Sequence, residues 1–122
     1  MSQKILIVED DQMMLSLLQF KLQREGFETI VVQDGNEAIA KIEQDAPDLI
    51  VTDIMMPFLN GMELTSKIRN ELNLKTPIII ISSAGQEDMV MQAFKLGADN
   101  FITKPFSPNE LVMRIRKLLN LI

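Results

Sequence analysis

Pro47-Asp48-Leu49-Ile50-Val51-Thr52-Asp53 sets four consecutive apolar or β-branched residues between two acids. A run this short with no polar face predicts a strand over 48–52 that is buried on both sides. Only a sheet covered by helices on both faces buries a strand in that way. Moving outward from this run in either direction, the same alternation repeats. Upstream, Ile5-Leu6-Ile7-Val8 and 29–32 read as two further strands. The stretch 12–25 carries Met14, Leu15, Leu18 and Leu22 at helical spacing, and Gly26 supplies a stop. Over 36–44, Ala38, Ile39 and Ile42 fall on one helical face, with Asn36 as a candidate cap. Downstream, 62–72 is a helix with Leu64, Ile68 and Leu72 inward, and Pro77 opens the apolar strand 78–81. A helix over 87–96 ends at Gly97, 100–103 is a fifth strand, and 108–121 is a closing helix with Pro108 in its first turn. Five strand–helix units predict an α/β fold, a parallel sheet doubly wound with helices on both faces. No repeat or linker interrupts 1–122, which reads as one domain.

Composition narrows the chemistry. The 122 residues are 47% hydrophobic and 24% charged, ordinary values for a globular domain with a sizeable core. The chain has neither cysteine nor histidine. Disulfides, thiolate metal sites, Ser-His triads, imidazole acid–base catalysis and the usual zinc sites are therefore excluded. Any metal has to be a hard cation bound by oxygen, such as Mg²⁺, Ca²⁺ or Mn²⁺. A net charge of −5 argues against direct binding of nucleic acid. The first apolar run is four residues long and ends in acids, which fits neither a signal peptide nor a membrane span. The expected location is the cytoplasm, without membrane attachment.

Open parallel sheets bind ligands at the carboxyl ends of their strands. At those ends stand Glu9, Asp10 and Asp11; then Asp53; then Ser82 and Ser83; then Lys104 before Pro105. Each has a plainer reading when taken singly. Asp11 suits a helix cap, Asp53 a turn, the serines a loop and Lys104 the surface. Their convergence on one rim is what carries information. Crowded carboxylates repel and take up a proton unless a cation sits among them, and one lysine is too little. Two or three carboxylates with a backbone carbonyl and waters suit Mg²⁺. A carboxylate beside such a metal can attack phosphorus, with the metal, Lys104 and Ser82 supporting the transferring oxygens.

At these residues the sequence resembles the response-regulator receiver family of two-component signalling, over the whole chain. The resemblance is carried by I-L-I-V-E-D-D (5–11), P-D-L-I-V-T-D-I-M-M-P-F-L-N-G (47–61), P-I-I-I-I-S-S-A (77–84) and G-A-D-N-F-I-T-K-P-F (97–106). It implies a five-stranded flavodoxin-like sheet of order 2-1-3-4-5. It further implies that Asp53 is the phosphoacceptor, that Glu9, Asp10, Asp53 and the Met55 backbone carbonyl hold Mg²⁺, that Lys104 pairs with the phosphoryl oxygens, and that the Lys104-Pro105 peptide is cis. Ser82 rather than Ser83 is the implied switch hydroxyl, five residues after Pro77 and 22 before Lys104. Phe101 takes the place of the switch aromatic, which follows the hydroxyl inward; on its own it reads as core packing. The implied partners are a sensor histidine kinase or phosphotransfer protein and a downstream partner or fused effector.

Departures from the family pattern are also visible. Glu9 is a common variant, whereas Phe58 replaces a more usual small residue and is expected to be exposed. Asp99, Glu110 and Arg114 match charged positions used for homodimers through the fourth helix, fifth strand and fifth helix, but Asn100 replaces an acid. Met89, Val90 and Met91 either form a partner surface or face the sheet. The competing functions are a receiver-like interaction module that works without phosphorylation, and an enzyme of flavodoxin-like or phosphatase-like type. The acids after the first strand would repel a flavin phosphate, and an aspartyl phosphatase would carry its nucleophile there. Beyond self-directed phosphotransfer and slow loss of its own phosphoryl group, no enzymatic activity is expected.

Overall fold

The computed structural model describes residues 2–56, 58–83 and 87–122; Pro57 and Ala84, which belong to two of the quoted motifs, lie outside them. The elements alternate as β1 (Lys4–Val8), α1 (Gln12–Arg24), β2 (Glu28–Val32), α2 (Gly35–Asp45), β3 (Leu49–Asp53), α3 (Gly61–Asn70), β4 (Ile78–Ser82), α4 (Glu87–Leu96), β5 (Asn100–Thr103) and α5 (Pro108–Leu118). All strand pairs are parallel, and the order is β2-β1-β3-β4-β5, as expected. Every residue of β3 and β4 is buried, whereas β2 buries only Val32. That difference tracks position, since β3 and β4 are interior strands and β2 is an edge.

Because side chains alternate across a strand, the sheet feeds two cores. On one face Ile5, Ile7, Val51, Ile79 and Ile81 pack with Leu18 and Leu22 of α1 and Leu111 and Ile115 of α5. On the other, Leu6, Val8, Ile50, Ile78 and Ile80 pack with Ile42 of α2, Leu64 and Ile68 of α3 and Ala93 of α4. From β1 the chain winds first to β2, then returns past β1 to build β3, β4 and β5. The winding therefore reverses between β1 and β3, and a crevice opens at their carboxyl ends.

Several boundaries differ from the sequence reading. β3 extends through Asp53 and β4 through Ser82, so both residues belong to the sheet and are held by its ladder. The most instructive difference is at α2. Its cap is Asp34, not Asn36: the Asp34 side chain accepts from the Glu37 amide at 2.8 Å, and Asn36 lies exposed in the first turn. The helix starts early because Gly35 is buried under Leu59, where a Cβ would meet the Leu59 Cβ at 2.5 Å. Asp11 does cap α1, as read, accepting from the Met13 and Met14 amides.

Asp34→Ala is expected to lower unfolding free energy by about 1 kcal/mol, the usual cost of a lost cap. Asn36→Ala should change it by less than about 0.5 kcal/mol, as at other surface sites. Urea denaturation of the two variants checks the assignment.

Candidate functional site

Glu9 follows β1 immediately, and Asp53 ends the neighbouring β3. The reversal of winding between these strands brings their carboxylates to one crevice. Carboxylate oxygens of Glu9, Asp10 and Asp53 lie within 4.8 Å of one another. Glu9 and Asp53 are buried, at 2% and 8% exposure, while Asp10 faces solvent. Lys104, one residue beyond β5, reaches across the rim. Its Nζ lies 2.9 Å from Asp53 Oδ2 and 3.5 Å from Glu9 Oε1. The Lys104 amide donates to the Ser82 carbonyl at 2.8 Å, and the Lys104-Pro105 peptide is cis.

The charges at this rim do not balance. Three carboxylates face one ammonium, leaving two negative charges when all are ionised. Burial above all pushes the Glu9 carboxyl up to about 7, and the Asp53 charge adds to the shift against the Asp11 amide, which donates to Glu9 at 3.1 Å. Burial would lower the Lys104 ammonium, but the hydrogen bond to Asp53 and the charges of Asp53 and Glu9 outweigh it and raise it. A hard divalent cation would remove the imbalance, and oxygen donors at mixed exposure suit an ion that keeps part of its water shell.

The other residues singled out in the sequence have varied surroundings. Met55 is exposed, and its amide donates to Asp53 Oδ1 at 3.2 Å, which holds the following loop against the acid. Ser82 is fully buried, whereas Ser83 is exposed. By strand alternation Ser82 shares a sheet face with Ile78 and Ile80, and half-buried Phe101 packs against the core on that same face. Phe58 is 85% exposed, as expected, and holds φ at +68°. The Met89-Val90-Met91 triplet divides: Met89 packs against the second core, Val90 is half-buried and Met91 is exposed.

Two residues escaped the sequence reading. Thr52 is buried, and its hydroxyl donates to the Asp53 carbonyl at 2.9 Å. Gly61 lies so close that a Cβ there would sit 2.6 Å from the Asp53 carbonyl oxygen. The Gly61 amide donates to the Ile54 carbonyl at 3.0 Å, so the loop after Asp53 is folded back and pinned on the strand it left. The Asn60-Gly61 pair before a helical pattern was the available signal, with Asn60 completing a capping box to Glu63.

The family described as the response regulator receiver domain matches residues 5–116, and the chain belongs to that family of two-component signalling domains. It is 40% identical over 119 residues to the alkaline phosphatase synthesis transcriptional regulatory protein PhoP of Bacillus subtilis (strain 168), covering 98% of this chain and 49% of that protein. The chain thus spans about half the length of that relative. Among solved structures, a response regulator from Chloroflexus aurantiacus J-10-fl is 30% identical with a TM-score of 0.92, over 98% of this chain and 99% of the other. The receiver domain of the Francisella response regulator 1452 is 36% identical with a TM-score of 0.91, over 96% of both chains.

In metal-free protein the Glu9 carboxyl should titrate near 7, as followed by carboxyl-carbon NMR. Its folded value is raised, so its contribution to stability is complete below the ordinary value of 4.5 and is lost as pH rises through about 7. Asp53→Asn removes the like charge and should lower the Glu9 value while burial keeps it above 4.5. A Glu9 carboxyl at its ordinary value would contradict the burial and crowding at this rim.

Proposed function

We propose that the chain is a phosphoryl-accepting switch in which Asp53 is the phosphoacceptor and Mg²⁺ the resident ion. The observation that supports this most is the position of Asp53, buried at a strand end between the Lys104 ammonium and two further carboxylates. Glu9, Asp10, Asp53 and the Met55 carbonyl would hold Mg²⁺, and the ion would supply positive charge for the oxygens in transfer. An Asp53 oxygen attacks phosphorus, forming an O–P bond as the N–P bond of the donor phosphohistidine breaks, and the imidazole leaves with the bonding electron pair. Lys104 stays within reach of the new phosphoryl oxygens, whose charge replaces part of the Asp53 charge it faces.

The donor in this reading is the phosphohistidine of a sensor kinase or phosphotransfer protein, because the chain has no histidine of its own. The added group draws the Ser82 hydroxyl, and Phe101 follows on the same sheet face, altering the surface formed by α4, β5 and α5. The output is passed to a downstream protein or a fused effector, in the cytoplasm, with no contact to nucleic acid by this domain. The domain spans residues 1–122, and its chemistry is limited to self-directed phosphotransfer and slow hydrolysis of its own acyl phosphate. No helix among the described residues is long and apolar enough to cross a membrane.

A phosphorylation-dependent homodimer through α4, β5 and α5 belongs to the same proposal. Its charged positions are engaged within the chain: Asp99 pairs with Arg69, and Arg114 with Glu110 and Asn100. Met91, Phe94 and Met113 are the large apolar side chains exposed on α4 and α5, so apolar contact would dominate such a dimer.

Incubation with Mg²⁺ and acetyl phosphate should add about 80 Da, the mass of one phosphoryl group, to the wild-type chain. Asp53→Asn should gain nothing, and Lys104→Ala should accumulate far less. Absence of the adduct in wild-type protein with Mg²⁺ present would overturn the proposal.

A further inference from the structure

At the base of the sheet, opposite the acidic rim, one guanidinium joins three segments. Arg69, in the last turn of α3, donates through Nε to the Gly97 carbonyl at 3.1 Å. It donates through Nη1 to the Leu74 carbonyl at 2.9 Å and through Nη2 to Asp99 Oδ2 at 2.9 Å. Asp99 in turn accepts from the Ile78 amide at 2.8 Å, and its own amide donates to the Ile78 carbonyl at 2.9 Å. The end of α4 is thereby tied both to α3 and to the start of β4. Gly97 is fitted to this contact twice over. It holds φ at +113°, and a Cβ there would meet the Arg69 Cγ at 2.7 Å.

The remainder of α4 buries less than the other helices. Among the described residues α4 buries only Ala93, whereas α3 buries four residues and α1 and α5 three each. A groove of about 710 Å³ separates α4 from α3, with Met62 and Ser66 on one wall and Asp88, Met89 and Gln92 on the other. A helix fastened at its C-terminal end, with one small buried side chain and open space along one flank, has the mechanics of a lever.

We propose that Arg69 is a positioning residue that fixes the C-terminal end of α4, so that α4 swings about Gly97 when the site is modified. This rests on the switch reading above, because that reading supplies the force at the other end of the helix. The planar fork matters more than the charge: three donors in fixed geometry reach two carbonyls and a carboxylate, which a lysine cannot do. Arg69 makes its hydrogen bonds to Gly97, Leu74 and Asp99, at the end of the sheet away from the acidic rim.

Native-state hydrogen exchange of the unphosphorylated chain tests the fixed end directly. The amides of Leu96, Gly97 and Ala98 should exchange on the order of tenfold more slowly than those of Met91 and Gln92, because local openings need not break the clamp. In Arg69→Lys that gap should vanish through faster exchange at 96–98, although the charge opposite Asp99 is kept. Asp99→Asn, which retains an acceptor for the Ile78 amide, should narrow the gap partially. After acetyl phosphate treatment, altered exchange should stay within 87–93 in wild type and spread to 99 in Arg69→Lys. A flat profile in wild type, or an unchanged gap in Arg69→Lys, would overturn the lever. If Asp53 takes no phosphoryl group the switch reading fails, while the resting profile still decides the clamp.

Discussion

Three carboxylates sharing one ammonium is the constraint around which this chain is organised. Burial above all, with the charge of Asp53 beside it, holds the Glu9 carboxyl near 7 instead of at its ordinary value. No histidine is present, so a cation bound at this rim would have to be one that favours oxygen ligands. In the proposed switch, Lys104 and a bound ion would offset the charge of the group carried by Asp53. A domain built only for stability would fill this rim with apolar or singly charged residues.

The fold supplies the crowding without special devices. Reversal of winding between β1 and β3 sets two acid-bearing strand ends side by side, and β5 brings Lys104 over from the far edge. Gly61 folds the loop back on Asp53, and Thr52 satisfies the Asp53 carbonyl, so the acid projects from a stiff support. Below this rigid centre, α4 is fastened at one end and sparsely packed along its length. Rigid chemistry at one rim beside a weakly held helix is the arrangement a switch requires, because a small change in charge can then bias a packed element between two positions.

Much of this was legible in the sequence for identifiable reasons. Unbroken β-branched runs such as Ile78 to Ile81 have no polar face, and only an interior strand accommodates them. The alternation then put Glu9, Asp10, Asp53, Ser82 and Lys104 on one rim. Ser82, chosen over Ser83 by spacing, is buried in the sheet, and Ser83 is exposed. What escaped depends on contacts distant in the chain. Asp34 and Asn36 are equally plausible caps until Leu59, 24 residues later, closes over Gly35. Arg69 resembles any surface arginine until Gly97 and Asp99, 28 and 30 residues away, are brought beside it.

The account stands or falls on the cation. Calorimetric titration of Mg²⁺ into the wild-type chain at pH 7, repeated in two buffers of different ionisation heat, measures affinity and proton release together. Because the Glu9 carboxyl is raised to about 7, binding should release protons near neutral pH, and affinity should weaken as pH falls. Asp10→Asn should weaken binding, and Glu9→Gln should abolish the proton release. Undetectable Mg²⁺ binding at millimolar concentration, or binding without proton release that both variants retain, would contradict it.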